Sequence, residues 1–76
     1  MTVRNEAVAV QVREALANDR RISGLPIEIR VSEGEVFIKG SVESPEQKDI
    51  VEFILRGIPG VRHIVLEELQ IREENK

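Results

Sequence analysis

The sequence predicts an α+β domain of order αββαβ, with two helices packed on one face of a three-stranded mixed sheet. Three observations predict it. Ile27-Glu28-Ile29-Arg30-Val31 and Val36-Phe37-Ile38 alternate around Glu33-Gly34, which is a hairpin signature. Ser44-Pro45-Glu46-Gln47 is a helix start, and Gly60-Val61 leads back into a last apolar strand.

The first helix is predicted over about residues 3 to 18, because Val8, Val12 and Leu16, with Ala15 beside them, recur at helical spacing and Asn18-Asp19 ends the run. Val3, Ala7, Val10 and Ala17 form a second, shallower stripe on the opposite side. Scattered Val and Ala are ordinary on a surface. The sharper reading makes Val3, Ala7 and Val10 a secondary contact face.

After the polar connection Arg20-Arg21-Ile22-Ser23-Gly24, Ile27 to Val31 reads as a half-buried strand. Gly34 supplies the positive φ of a tight turn. The returning strand puts Val36, Ile38, Gly40 and Val42 on one face, toward the helices. Ser44 caps the second helix, Pro45 suits its first position and Gln47 completes a capping box. Ile50, Val51, Ile54, Leu55 and Ile58 form a wide apolar arc with Phe53 at one margin. Lys48, Glu52 and Arg56 keep the outer side polar, and Gly57 and Pro59 end the helix.

The last strand is expected from Val61 to about Ile71, with an uneven phase: Ile64 and Leu66 share one face, Leu69 and Ile71 the other. A single-residue bulge near Glu67-Glu68 would bring all four to the core side. Whether this strand pairs beside the first or the second strand of the hairpin is left open by the β-α-β connection. The ordered core is expected over about 3-71, with a polar tail at 72-76 that frays.

The chain's 76 residues form one domain, 1-76, near the lower size limit for independent folding. It has no cysteine to staple it and no Cys/His cluster for a metal, so oligomerisation is expected to add stability. Eleven basic against fourteen acidic residues, interspersed, do not make a nucleic-acid footprint, and there is no Trp or Tyr for base stacking. Ala7-Val8-Ala9-Val10 is too short for a signal-peptide core or a membrane span, so a cytoplasmic location is expected.

Taken together, Val8, Val12 and Leu16, the stretch Gly34-Glu35-Val36-Phe37-Ile38-Lys39-Gly40-Ser41-Val42 and the stretch Pro59-Gly60-Val61-Arg62-His63-Ile64 resemble the BON domain. The middle stretch is similar to that family's G-x-V-x-L-x-G-x-V pattern with Ile38 in the Leu place, and the last to its G-V-x-x-V closing strand. The resemblance covers nearly the whole chain. It implies a non-catalytic interaction module, often linked to membrane or phospholipid surfaces. The single copy and the absence of an export segment depart from the family's envelope role.

No catalytic residue, metal ligand or cofactor site is expected. His63 is the only histidine, with no thiol or second imidazole to share a metal. Glu67-Glu68 and Glu73-Glu74 are adjacent, so on a regular strand each pair points to opposite sides and cannot act jointly. Gly57-Ile58-Pro59-Gly60 matches a nucleic-acid-clamping G-x-x-G only formally, since it joins a helix to a strand rather than two helices.

The expected partner is a protein or a second copy of the chain. Its contact surface would be Phe37, Lys39, Arg30, Glu28 and Val65, on the sheet face away from the helices. The plainer alternative lays Phe37 along the stems of Arg30 and Lys39. The other functional reading is peripheral lipid binding through the loop of Arg20, Arg21, Ile22 and Leu25.

Overall fold

The computed structural model describes residues 3–72, with side chains from Asn5 onward. The polar segment 73–76 and the Val3 side chain, one of the expected secondary contacts, lie outside the described residues. The order is α1 (Val3–Ala17), β1 (Ile27–Ser32), β2 (Glu35–Val42), α2 (Pro45–Arg56) and β3 (His63–Ile71). In the sheet the strands lie β1-β2-β3, with β1 and β2 antiparallel and β2 and β3 parallel. The strand order left open by the sequence is thus settled by placing β3 against β2.

The core is the apolar set that the periodicities pick out. Val8, Val12 and Leu16 of α1, Val36, Ile38 and Val42 of β2, and Val51 and Leu55 of α2 are buried, with Ile22, Ile58 and Leu69. Ile27, Ile29 and Val31 of β1 pack against them half-buried, as the edge position of that strand requires. Both helices therefore lie on one face and leave the other uncovered.

The hairpin turn has φ of 52° at Glu33 and 85° at Gly34. Positive φ at both central residues marks a two-residue turn of the type I′ class, whose twist matches the strands. Asn5 Oδ1 accepts the Glu33 N–H at 3.0 Å, which ties the turn to the start of α1 and helps hold a non-glycine residue in this conformation. Gly40 answers to a close approach instead. A methyl there would come within 2.1 Å of Pro26 O and 2.8 Å of Ile27 Cα, so only glycine lets β1 begin where it does.

Ser44 Oγ accepts the Gln47 N–H at 3.2 Å, as a cap should. Gln47 Oε1 reaches back to the Glu43 N–H at 2.7 Å, and its Nε2 donates to Arg21 O at 3.1 Å. One side chain thus ends the β2–α2 connection and pins the α1–β1 loop. At the other end Gly57 closes α2 at φ −87° and ψ 0°, a negative φ open to other residues. The left-handed turn that glycine permits falls at Gly60 instead, with φ 95°.

The last strand ends at Ile71 as expected but begins two residues later than the sequence suggests, at His63. The Val61 N–H donates to Ile58 O, so Val61 still belongs to the turn, and pairing begins where the Arg62 and His63 N–H groups both reach Gly34 O. At the far end the Arg72 N–H donates to Val42 O at 2.7 Å, one residue past Ile71. The bulge is present beside Glu67-Glu68, as expected. Phe37 pairs with Val65 and Lys39 with Glu68, so Leu66 and Glu67 together face Ile38. Ile64 and Leu66 then pack on the core and Leu69 is buried, while Ile71 remains 38% exposed at the sheet's end.

Candidate interaction surface

The uncovered sheet face can be read row by row from the register, because directly paired residues share a face. Its central row is Arg30, Phe37 and Val65 across β1, β2 and β3. One row toward the start of β1 stand Glu28, Lys39 and Glu68, and toward the turn stand Ser32, Glu35 and His63. The five residues expected on this surface are therefore brought together. Phe37 is 37% exposed, and Val65 beside it is half-buried.

Glu67 and Glu68 require a correction. Regular alternation would send them to opposite sides, but the bulge lets both reach the open face. Together with Arg30, Phe37 and Val65 they line a hollow of about 290 Å³. The physical reason is burial: Leu66 and Leu69 both belong to the core side, and three residues of advance between them can only be accommodated by shedding one outward.

The result is an aromatic centre flanked by Arg30, Lys39 and a paired acidic rim. Counting Glu28, Glu35, Glu67 and Glu68 against Arg30 and Lys39, acid outweighs base on this face. Lys39 stands between Glu28 and Glu68 in register, yet no ion pair joins it to either among the described residues. Its charge and theirs are left available to a partner.

The remaining candidates are dispersed. On α1, Val10 is 46% exposed, and Ala7 borders a separate hollow of about 640 Å³ beside the Glu33-Gly34 and Pro59-Gly60 turns. In the α1–β1 loop Ile22 is only 2% exposed. A buried core anchor cannot also insert into a lipid surface, which corrects its place in the lipid-contact set. Leu25 is half-buried and Arg20 exposed.

Arg21 is occupied within the loop. Its Nε and Nη2 donate to the Asp19 carboxylate at 3.0 and 2.7 Å, and its backbone N–H adds a bond of 3.0 Å. These bonds, the side-chain ones foremost, hold the Asp19 carboxyl at a pKa of about 2, below its ordinary 3.8.

Sequence reasoning undervalued Phe53. Placed at the margin of the α2 arc, it is in fact 76% exposed, the most exposed large apolar side chain among the described residues. The signal lay in its helical neighbours: Asp49 and Gly57, one turn to either side, are both exposed and neither is apolar. Among the described residues no group of three or more His, Cys, Asp or Glu is placed to hold a metal ion, and no helix is long and apolar enough to cross a membrane.

Two helices on one face of a small mixed sheet, with an aromatic on the bare side, define an α+β domain of order αββαβ. The BON domain family model matches residues 4–73, and the chain belongs to that family. No curated protein matches the sequence. BON domains are generally non-catalytic binding domains.

Proposed function

We propose that this chain is a protein-interaction module whose contact surface is the open sheet face centred on Phe37. The observation that carries this reading is the central row Arg30–Phe37–Val65 with Glu67 and Glu68 both turned onto the same side. An aromatic anchor ringed by charges is the usual anatomy of a contact hot spot. The acidic surplus calls for a partner that offers an apolar knob among basic side chains. No cofactor enters the reading.

Crosslinked capture compared across three proteins tests it. The wild type and Phe53→Ser should retain the same partner, and Phe37→Ser should lose it while keeping its circular dichroism spectrum. Identical capture by Phe37→Ser overturns the proposal. So does flotation of the wild type with anionic vesicles at low salt, which would transfer the function to a lipid surface.

A further inference from the structure

The free edge of β1 is built to pair with itself. The Ser41 N–H donates to Pro26 O, and the β1–β2 register then alternates, so Glu28 and Arg30 exchange bonds with β2 while Ile29 and Val31 turn their N–H and C=O groups outward. No described group outside the sheet bonds the Ile29 or Val31 N–H, whereas the Ile27 N–H is closed locally on Leu25 O at 2.9 Å. β1 carries no bulge, no proline and no lysine, and its two exposed charges, Glu28 and Arg30, are of opposite sign, so they do not repel a second copy.

We infer that two copies of this chain dimerise by antiparallel pairing of β1 with β1 about a two-fold axis at Ile29. The charges point to a second copy rather than another strand. Centred on Ile29, this register sets Glu28 opposite Arg30 of the second copy, and Arg30 opposite its Glu28, on the open face. Ile27 then lies opposite Val31 of the second copy on the helix side, apolar against apolar.

The outward groups match the same register. The two Ile29 residues exchange bonds in both directions, and each Val31 N–H finds the Ile27 carbonyl of the other copy. A shift of one residue would set Glu28 against an isoleucine and present the ladder with the wrong N–H groups. Beside Ile27 and Ile29 lies an open hollow of about 440 Å³ of mixed lining, with Leu16 and Leu25 on its apolar side and Arg13 and Glu28 on its polar side, which leaves room for the Val31 side chain of the second copy.

The pairing would make one continuous sheet with two Phe37 centres on a single face. It rests on the backbone edge of β1 rather than on Phe37 and stands without the partner contact proposed above, although Glu28 and Arg30 border both.

Sedimentation velocity with amide exchange tests it. The wild type should move from monomer to dimer between about 5 and 500 μM, because an interface of one short strand is small. Exchange at the Ile29 and Val31 amides should slow with concentration while amides of β3 do not respond. Glu28→Arg and Arg30→Glu should each weaken the dimer roughly tenfold, by replacing two attractive cross-strand pairs with two repulsive ones. The double variant restores both pairs and should return to within about threefold of wild type.

A wild type that stays monomeric over the whole range overturns the inference. So do single charge reversals that dimerise as well as the wild type, or exchange at Ile29 and Val31 that ignores concentration. Should a single variant fail to fold, the double variant and the exchange data still decide. Phe37→Ser should leave this dimer intact, so loss of the partner and loss of the dimer are separable.

Discussion

The two edges of the sheet are built on opposite plans. β1 alternates without interruption from Ile27 to Ser32, and its outward backbone groups are regular. β3 breaks its ladder after Val65 and carries two glutamates at the break. A bulge with adjacent like charges makes a poor template for another strand, and a regular strand whose two charges, Glu28 and Arg30, are of opposite sign makes a better one. The difference teaches that protection on this sheet is local, and that it falls on the edge where the core demanded an extra residue.

The largest break in this comparison comes from Gly40. At φ 133°, and with Pro26 O 2.1 Å from where a methyl would sit, Gly40→Ala must push the start of β1 off the hairpin. We expect a loss of more than about 3 kcal/mol, enough to unfold much of a domain this small. Chemical denaturation measures it. A variant of near-native stability would mean that β1 does not begin against Gly40.

A deletion sharpens the comparison at smaller cost. Removing Glu67, which yields the same sequence as removing Glu68, leaves Lys39 paired with a glutamate and Gly40 with Leu69 while erasing the bulge. Leu66, Leu69 and Ile71 then alternate regularly on the core side. Stability should change by no more than about 1 kcal/mol, but β3 becomes as regular in register as β1 and one carboxylate leaves the open face. Thermal melts should be close to wild type, and concentration-dependent light scattering should rise. A collapse of stability would show that the bulge holds the core together rather than merely accommodating it.

What the residues disclosed in advance follows from which physical signal each feature carries. α1, the hairpin and α2 were legible because Val8, Val12 and Leu16, the alternation from Ile27 to Val31, and Ser44 with Gln47 each state a period or a cap locally. The need for a bulge was legible in the clash of phase between Leu66 and Leu69. Its neighbourhood at Glu67-Glu68 was legible too, but which of the two adjacent glutamates is the extra residue was not, since only the register with Phe37 and Lys39 selects one. Glu33 at positive φ was hidden because the bond from its N–H to Asn5 is a long-range fact. The open face was legible around Phe37. The joint orientation of Glu67 and Glu68 was not, because it depends on the bulge. Ile22 looked like a loop residue, yet a lone isoleucine among polar neighbours is where a loop anchors itself.

The smallest expected effect lies in the loop that leads into β1 and bears on that edge alone. Asp19 accepts three bonds from Arg21, and its pKa of about 2 lies below the ordinary 3.8. A carboxyl that is harder to protonate in the folded chain stabilises the fold wherever it is ionised. That contribution is complete above pH 3.8, is lost as the pH falls toward about 2, and is absent below it. Asp19→Asn should therefore melt slightly below wild type at neutral pH, and the gap should close on acidification through this window. Because the Asp19 carbonyl also accepts the Ile22 and Ser23 N–H groups, a loosened loop should quicken amide exchange at Ile22 and Ile27. β3, which has no bond to this loop, should exchange as before. Equal quickening on both strands would mean that the two edges are coupled through the sheet and do not behave as separate devices.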